Sequence, residues 1–171
     1  MNKIVTILFC ALSTVGLYAQ SGYNYTDTLG KQGVFDNSGW ICEYKDDVQN
    51  GICLGFDKAD SPRKLRTVGM YENNVPVGTW IYFDDNGNIT LIIKDIKRND
   101  SVFVVSKKYS FTNNKPNYMA YMIEFYPTGI IKQEGPMYFD EDFNGDDSFC
   151  YGEWKYYNEN GVLIKTEWTE L

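Results

Sequence analysis

Asp140, Asp142 and Asn144 stand at alternate positions, followed by Gly145 and Asp146. Oxygen ligands at positions one, three and five with glycine at six match the first half of a calcium loop, and Asp146 follows as a further candidate oxygen ligand. The bidentate glutamate such a loop carries at position twelve is missing. Tyr151 stands there, so Glu153 or a neighbouring hairpin would have to supply the carboxylate. No helical pattern flanks the stretch, and the competing reading is a solvated acidic turn. A second chemistry open to this chain is glycosidic cleavage by paired carboxylates, which requires two acids about 5–10 Å apart with separated pKa values. Glu43, Glu124 and Glu153 fall in strand-like segments and are the candidates, but no spacing motif favours any pair. Histidine is absent, which removes Ser-His-Asp and Cys-His catalysis together with the commonest metal ligand. The expectation is a non-enzymatic protein without a resident cofactor, calcium being the one ion its residues suggest.

The redox chemistry depends on where the chain goes. Met1-Asn-Lys3 is basic, Ile4 to Leu17 is a nearly unbroken apolar run, and Leu17-Tyr-Ala19 ends on a small residue. That order reads as a secretory signal peptide over 1–19, and the run is shorter than the roughly 20 apolar residues of a spanning helix. Nothing later in the sequence is apolar enough over a sufficient length to span a bilayer. The exported portion, 20–171, loses Lys3 and no acid, so it is one unit more negative than the −7 of the whole chain. Such a balance argues against nucleic acid and against anionic lipid as partners. Three cysteines remain: Cys42, Cys53 and Cys150. An oxidising compartment permits a disulfide between two of them.

The elements that position these residues are strands and turns. Aromatics make up 16% of the chain, and period-two alternation is punctuated by Asn-Gly pairs. Internal repetition is the strongest signal. WICEYKDDVQNGICLGF (40–56) aligns with TVGMYENNVPVGTWIYF (67–83) at an offset of 27, and FTNNKPNY from Phe111 matches YENNVPVG at an offset of 40. A fourth copy runs from Gly135 to Gly161 with an insertion between Tyr138 and Gly152. The predicted repeats are 40–60, 66–88, 109–130 and 131–162, with an extra hairpin over 89–108, in a single domain. Turn centres between Asp47 and Val48, between Asn74 and Val75, and at Asn144-Gly145 predict that Cys42 faces Cys53, Tyr71 faces Gly78, Trp80 covers Gly69 and Trp154 covers Gly135. A cross-strand disulfide between Cys42 and Cys53 would replace the glycine–indole contact, with a stabilisation of roughly 2–3 kcal/mol for so short a loop; two buried thiols are the alternative. GTWIYFDDNGN (78–88) and GEWKYYNENGV (152–162) read as a strand running into a turn, Asn and Gly supplying the positive φ.

The pattern Gly-x-Tyr, a short polar loop, then Gly-x-Trp-x-Tyr-aromatic-Asp-x-Asn-Gly resembles MORN repeats, and is most similar to the bacterial MORN-variant repeat. Gly69-x-Tyr71 with Gly78 to Gly87, and Gly135 and Tyr138 with Gly152 to Gly161, carry the resemblance. It implies an all-β chain of consecutive antiparallel hairpins in an elongated, twisted sheet, and roles in scaffolding, partner binding and sometimes lipid contact. Trp80, Tyr82, Trp154 and Tyr156 share a strand face and offer either the core of a thin fold or a groove for peptide or glycan. The expected function is binding of a macromolecular partner, a protein before a glycan, in the periplasm or cell envelope, through one face or edge of the sheet.

Overall fold

Turn chemistry sets the strand boundaries. The computed structural model describes residues 25–57, 62–100, 117–140 and 148–170. The strands are β1 (Tyr25–Asp27), β2 (Gly30–Asn37), β3 (Trp40–Lys45), β4 (Val48–Phe56), β5 (Leu65–Glu72) and β6 (Val75–Phe83). They continue with β7 (Ile89–Arg98), β8 (Tyr118–Phe125), β9 (Ile131–Phe139), β10 (Phe149–Cys150), β11 (Gly152–Tyr157) and β12 (Leu163–Thr169). All pairings are antiparallel in one open sheet whose spatial order follows the chain from β1 to β9 and then β11 and β12, with β10 pairing beside β9. Two kinds of turn recur. Asp46-Asp47 and Asn73-Asn74 have φ of 55°, 64°, 51° and 63°, the double positive φ of a two-residue turn whose twist matches the strands. Asp84–Asn88, Tyr126–Ile130 and Asn158–Val162 form the second kind. In each, the first residue's N–H donates to the fifth carbonyl at 2.9, 2.8 and 3.0 Å. The fourth residue is Gly87, Gly129 or Gly161, with φ of 81°, 82° and 76°, and its N–H donates back to the first carbonyl.

These turns correct several expectations. The tight turns sit one residue earlier than predicted. Tyr71 therefore faces Pro76 rather than Gly78. Beyond the turn, two extra residues on the second strand restore the expected register: Tyr44 faces Gln49, yet Cys42 faces Cys53. The same irregularity recurs between β5 and β6, and again where β10 gives way to β11 against β9. Its sites carry Gly51, Gly78 and Gly152, all at positive φ. The sheet also begins earlier than Trp40, with β1 and β2. β7 lies between β6 and β8 in the sheet, so it serves as the first arm of the third hairpin instead of half of a separate one. The other arm of that expected hairpin, Val102 to Val105, lies outside the described residues, as do the signal segment 1–19, residues 111–116 of the stretch matching at Phe111 and the Asn144-Gly145 turn.

One row of side chains crosses the sheet from β2 to β12. It runs Phe35, Cys42, Cys53 and Gly69, and then Trp80, Ile93, Met122 and Gly135. Trp154 and Glu167 end it. The two junctions at the irregular stretches, Gly69 to Trp80 and Gly135 to Trp154, are made by the indoles. A Cβ placed on either glycine would clash with the ring across from it, Trp80 for Gly69 and Trp154 for Gly135. Trp80, Ile93 and Trp154 are 1%, 0% and 0% exposed and form the core with Ile96, Ala120, Met137 and Phe139.

Candidate functional site

The sheet has two faces and two edges, and the predicted site residues divide between the faces. On the first face, Trp80 and Tyr82 come from β6, and Trp154 and Tyr156 from β11, two residues apart in each strand because side chains alternate. Tyr71 meets Trp80 edge-on with ring centroids 5.0 Å apart. Trp154 Nε1 donates to the carbonyl of Pro136 at 2.9 Å. Both indoles are buried, so they offer no ring face to a peptide or sugar. The groove reading is corrected for them, because each indole is spent on roofing its glycine. Tyr82 and Tyr156 remain half-buried at the margin of the core. Lys165 Nζ lies 5.2 Å from the Tyr156 ring centroid.

Cys42 and Cys53 occupy the same row, buried, with Cα atoms 4.1 Å apart and a disulfide between them. Cys150 is a free, half-buried thiol whose pKa is pushed up, first by burial and then by the charge of Glu167. That is the reverse of what a nucleophilic cysteine requires.

The three candidate acids do not converge. Glu43 lies beside Cys42 on β3 and points to the second face, where its Oε2 accepts the N–H of Ile52 at 3.2 Å. Glu124 lies on the first face of β8, accepting from Lys132 Nζ at 2.7 Å and from Gln133 Nε2. Glu153 lies beside Trp154 and points to the second face, 3.4 Å from Lys155 Nζ. Five strand steps separate β3 from β8, roughly 24 Å at the usual spacing. Of the calcium candidates, Asp142, Asn144 and Asp146 lie outside the described residues. Asp140 is 3% exposed, and a carboxylate oxygen accepts from Asn117 Nδ2. Among the described residues no helix is long and apolar enough to cross a membrane.

The second face carries a feature the sequence reading missed. Ile41, Leu54, Val68, Ile81, Ile92 and Ile123 are cross-strand neighbours in one unbroken row over β3 to β8. Leu54 is buried and the others are half-buried. The row turns polar at Glu134 on β9 and Lys155 on β11. Tyr157 donates its hydroxyl to Glu134 Oε1 at 2.7 Å. The Tyr121 phenol is pushed up to about 12, by burial first and then by the Glu134 carboxylate. Lys94 Nζ stands 5.1 Å from the Tyr121 ring centroid. Each of these strands contributes one aliphatic residue to the row, and the row exists only once the strands are in register.

One edge is β12. Leu163, Ile164 and Trp168 are 49%, 63% and 70% exposed, and among the described residues β12 pairs only with β11. A search of curated proteins finds none that matches the chain. The family model for the MORN repeat variant matches residues 151–167, and the strand–turn–strand unit of β11, Asn158–Val162 and β12 is accordingly a MORN-type repeat.

Proposed function

We propose that this chain is an exported, non-enzymatic repeat protein that binds a protein partner in the periplasm or cell envelope, using the second face of its sheet. The aliphatic row from Ile41 to Ile123 carries this reading. A strand with one covered face alternates apolar and polar residues. Here the strands are apolar on both sides, and the first face already supplies the indole core. Residues that gain nothing from that core gain free energy from a partner laid across them, and contiguous apolar surface marks such sites. Two features support export: the order of residues in 1–19, and the Cys42–Cys53 disulfide, a bond at home in an oxidising compartment. The scattered placement of Glu43, Glu124 and Glu153 supports binding over carboxylate catalysis.

The test is affinity capture from an envelope extract, with Ile81→Lys as the comparison. The expected result is one saturable protein partner that the variant, melting as the parent does, fails to retain. Recovery of glycan alone, or equal recovery by both proteins, would overturn the reading.

A further inference from the structure

The structure assigns the open edge of β12 to a second copy of this chain, docked antiparallel about a two-fold axis at Thr166. This goes beyond the partner reading, because it concerns the edge and not the aliphatic face. The backbone comes first. In an antiparallel ladder, close pairs without mutual hydrogen bonds alternate with hydrogen-bonded pairs, along a strand and from one strand to the next. The 4.1 Å Cα separation of Cys42 and Cys53 marks a close pair. Ile41–Leu54 is then hydrogen-bonded, and alternation along the aliphatic row makes Lys155–Thr166 a close pair. Thr166 therefore turns its N–H and C=O away from β11, towards the open edge, as do Ile164 and Trp168. A Thr166–Thr166 pair between two copies would exchange both hydrogen bonds.

The side chains select that register. With the axis at Thr166, Lys165 faces Glu167 of the other copy, twice over, and Ile164 faces Trp168, also twice. Lys165 and Glu167 already lie on one face, 2.7 Å apart, so two copies would assemble an alternating quartet of charges. Ile164 and Trp168, among the most exposed apolar residues of the molecule, would cover each other on the opposite face. Moving the axis to Lys165 places lysine against lysine, and moving it to Glu167 places glutamate against glutamate, both unfavourable across a pair of strands. Exposed edges are usually blunted by charge. Here the charges are ordered so that one pairing is complementary, and the contact is isologous and closes at two copies.

Sedimentation of the exported protein tests this. A dimer is expected, with Lys165→Glu weakening it by about tenfold or more and the double change Lys165→Glu with Glu167→Lys restoring it. Both side chains are surface-exposed, so each variant should melt as the parent does. Thr166→Cys in a Cys150→Ser background should form a disulfide-linked dimer on oxidation. A protein that stays monomeric up to about 1 mM, a dimer indifferent to Lys165→Glu, or open-ended oligomers would each overturn the inference. Partner capture by a monomeric Lys165→Glu variant would leave the function proposed above standing, which separates the two failures.

Discussion

At one position of the ladder the first hairpin carries Cys42 opposite Cys53, the second sets Trp80 over Gly69, and the last sets Trp154 over Gly135. The hairpin between them fills the same place with Ile93 and Met122. A thin sheet has to close the space above its central row, and these pairs do so by different physics. The indoles act on the folded state, burying large apolar area and joining one cluster with Ile93 and Met137. The disulfide acts largely on the unfolded state, by restricting a short loop. It fills little volume, and Cys42 and Cys53 lie outside that cluster. The first hairpin is therefore held by a bond that depends on its surroundings, and the later ones by packing that does not.

The largest effect should come from removing an indole. Trp154→Ala deletes a fully buried ring and its bond to the Pro136 carbonyl, and is expected to cost about 3–5 kcal/mol. Trp40 provides an internal control, since it also lies against a cross-strand glycine, Gly55, but remains 41% exposed. Thermal or urea melts should show Trp40→Ala costing less than half as much. Equal losses would mean that roofing a glycine, rather than burial, is what stabilises.

Reduction of the disulfide should come next, at about 2–3 kcal/mol for a loop of this length. The Trp154→Ala loss should be the same in oxidised and reduced protein to within about 0.5 kcal/mol, because the two sites share no contact. A larger coupling would show that the row behaves as one cooperative unit. Thiol counting under non-reducing conditions checks the premise: alkylation of one cysteine in the exported protein is expected, and alkylation of three would remove it.

The sequence displayed the strand character, the linking turns and the indole-over-glycine contacts, because alternation and Asn-Gly pairs are local signals. It did not display the register near Asp46-Asp47 and Asn73-Asn74. The extra residues opposite Glu43 and Gly69 change no composition, and only Gly51 and Gly78 at positive φ betray them. The partner of β7 is hidden for a related reason. Ile89 to Ile93 suits any neighbour, and choosing between a local hairpin and β8 requires knowing what β8 presents. The aliphatic row is a property of six strands in register, and no single segment contains it. The β12 edge was legible only as an open end, since its complementarity appears once Lys165, Glu167, Ile164 and Trp168 are assigned to faces.

The smallest expected effect distinguishes the linking turns from one another. Asp84 and Asn158 hold equivalent places, and each Oδ1 accepts two backbone N–H groups, those of Asn86 and Asn88 and those of Asn160 and Val162. Asp84 also accepts from the Asn88 side chain. That bond, followed by the backbone N–H groups, holds its pKa below the ordinary carboxylate value. A carboxyl depressed on folding contributes stability above its unfolded pKa, near 4, and loses that contribution as pH falls through the folded value. Asp57 and Asp36 are depressed in the same direction, by Arg66 and Arg63, so the parent's acid sensitivity has several sources and only a difference is diagnostic. Asp84→Asn should leave the melt at neutral pH nearly unchanged, since Asn158 already performs this task, while flattening the decline in stability below about pH 4. Asn158→Asp should steepen it. If Asp84→Asn unfolds the protein at neutral pH, the two turns are not equivalent, and the side-chain bond to Asn88 is what closes the first.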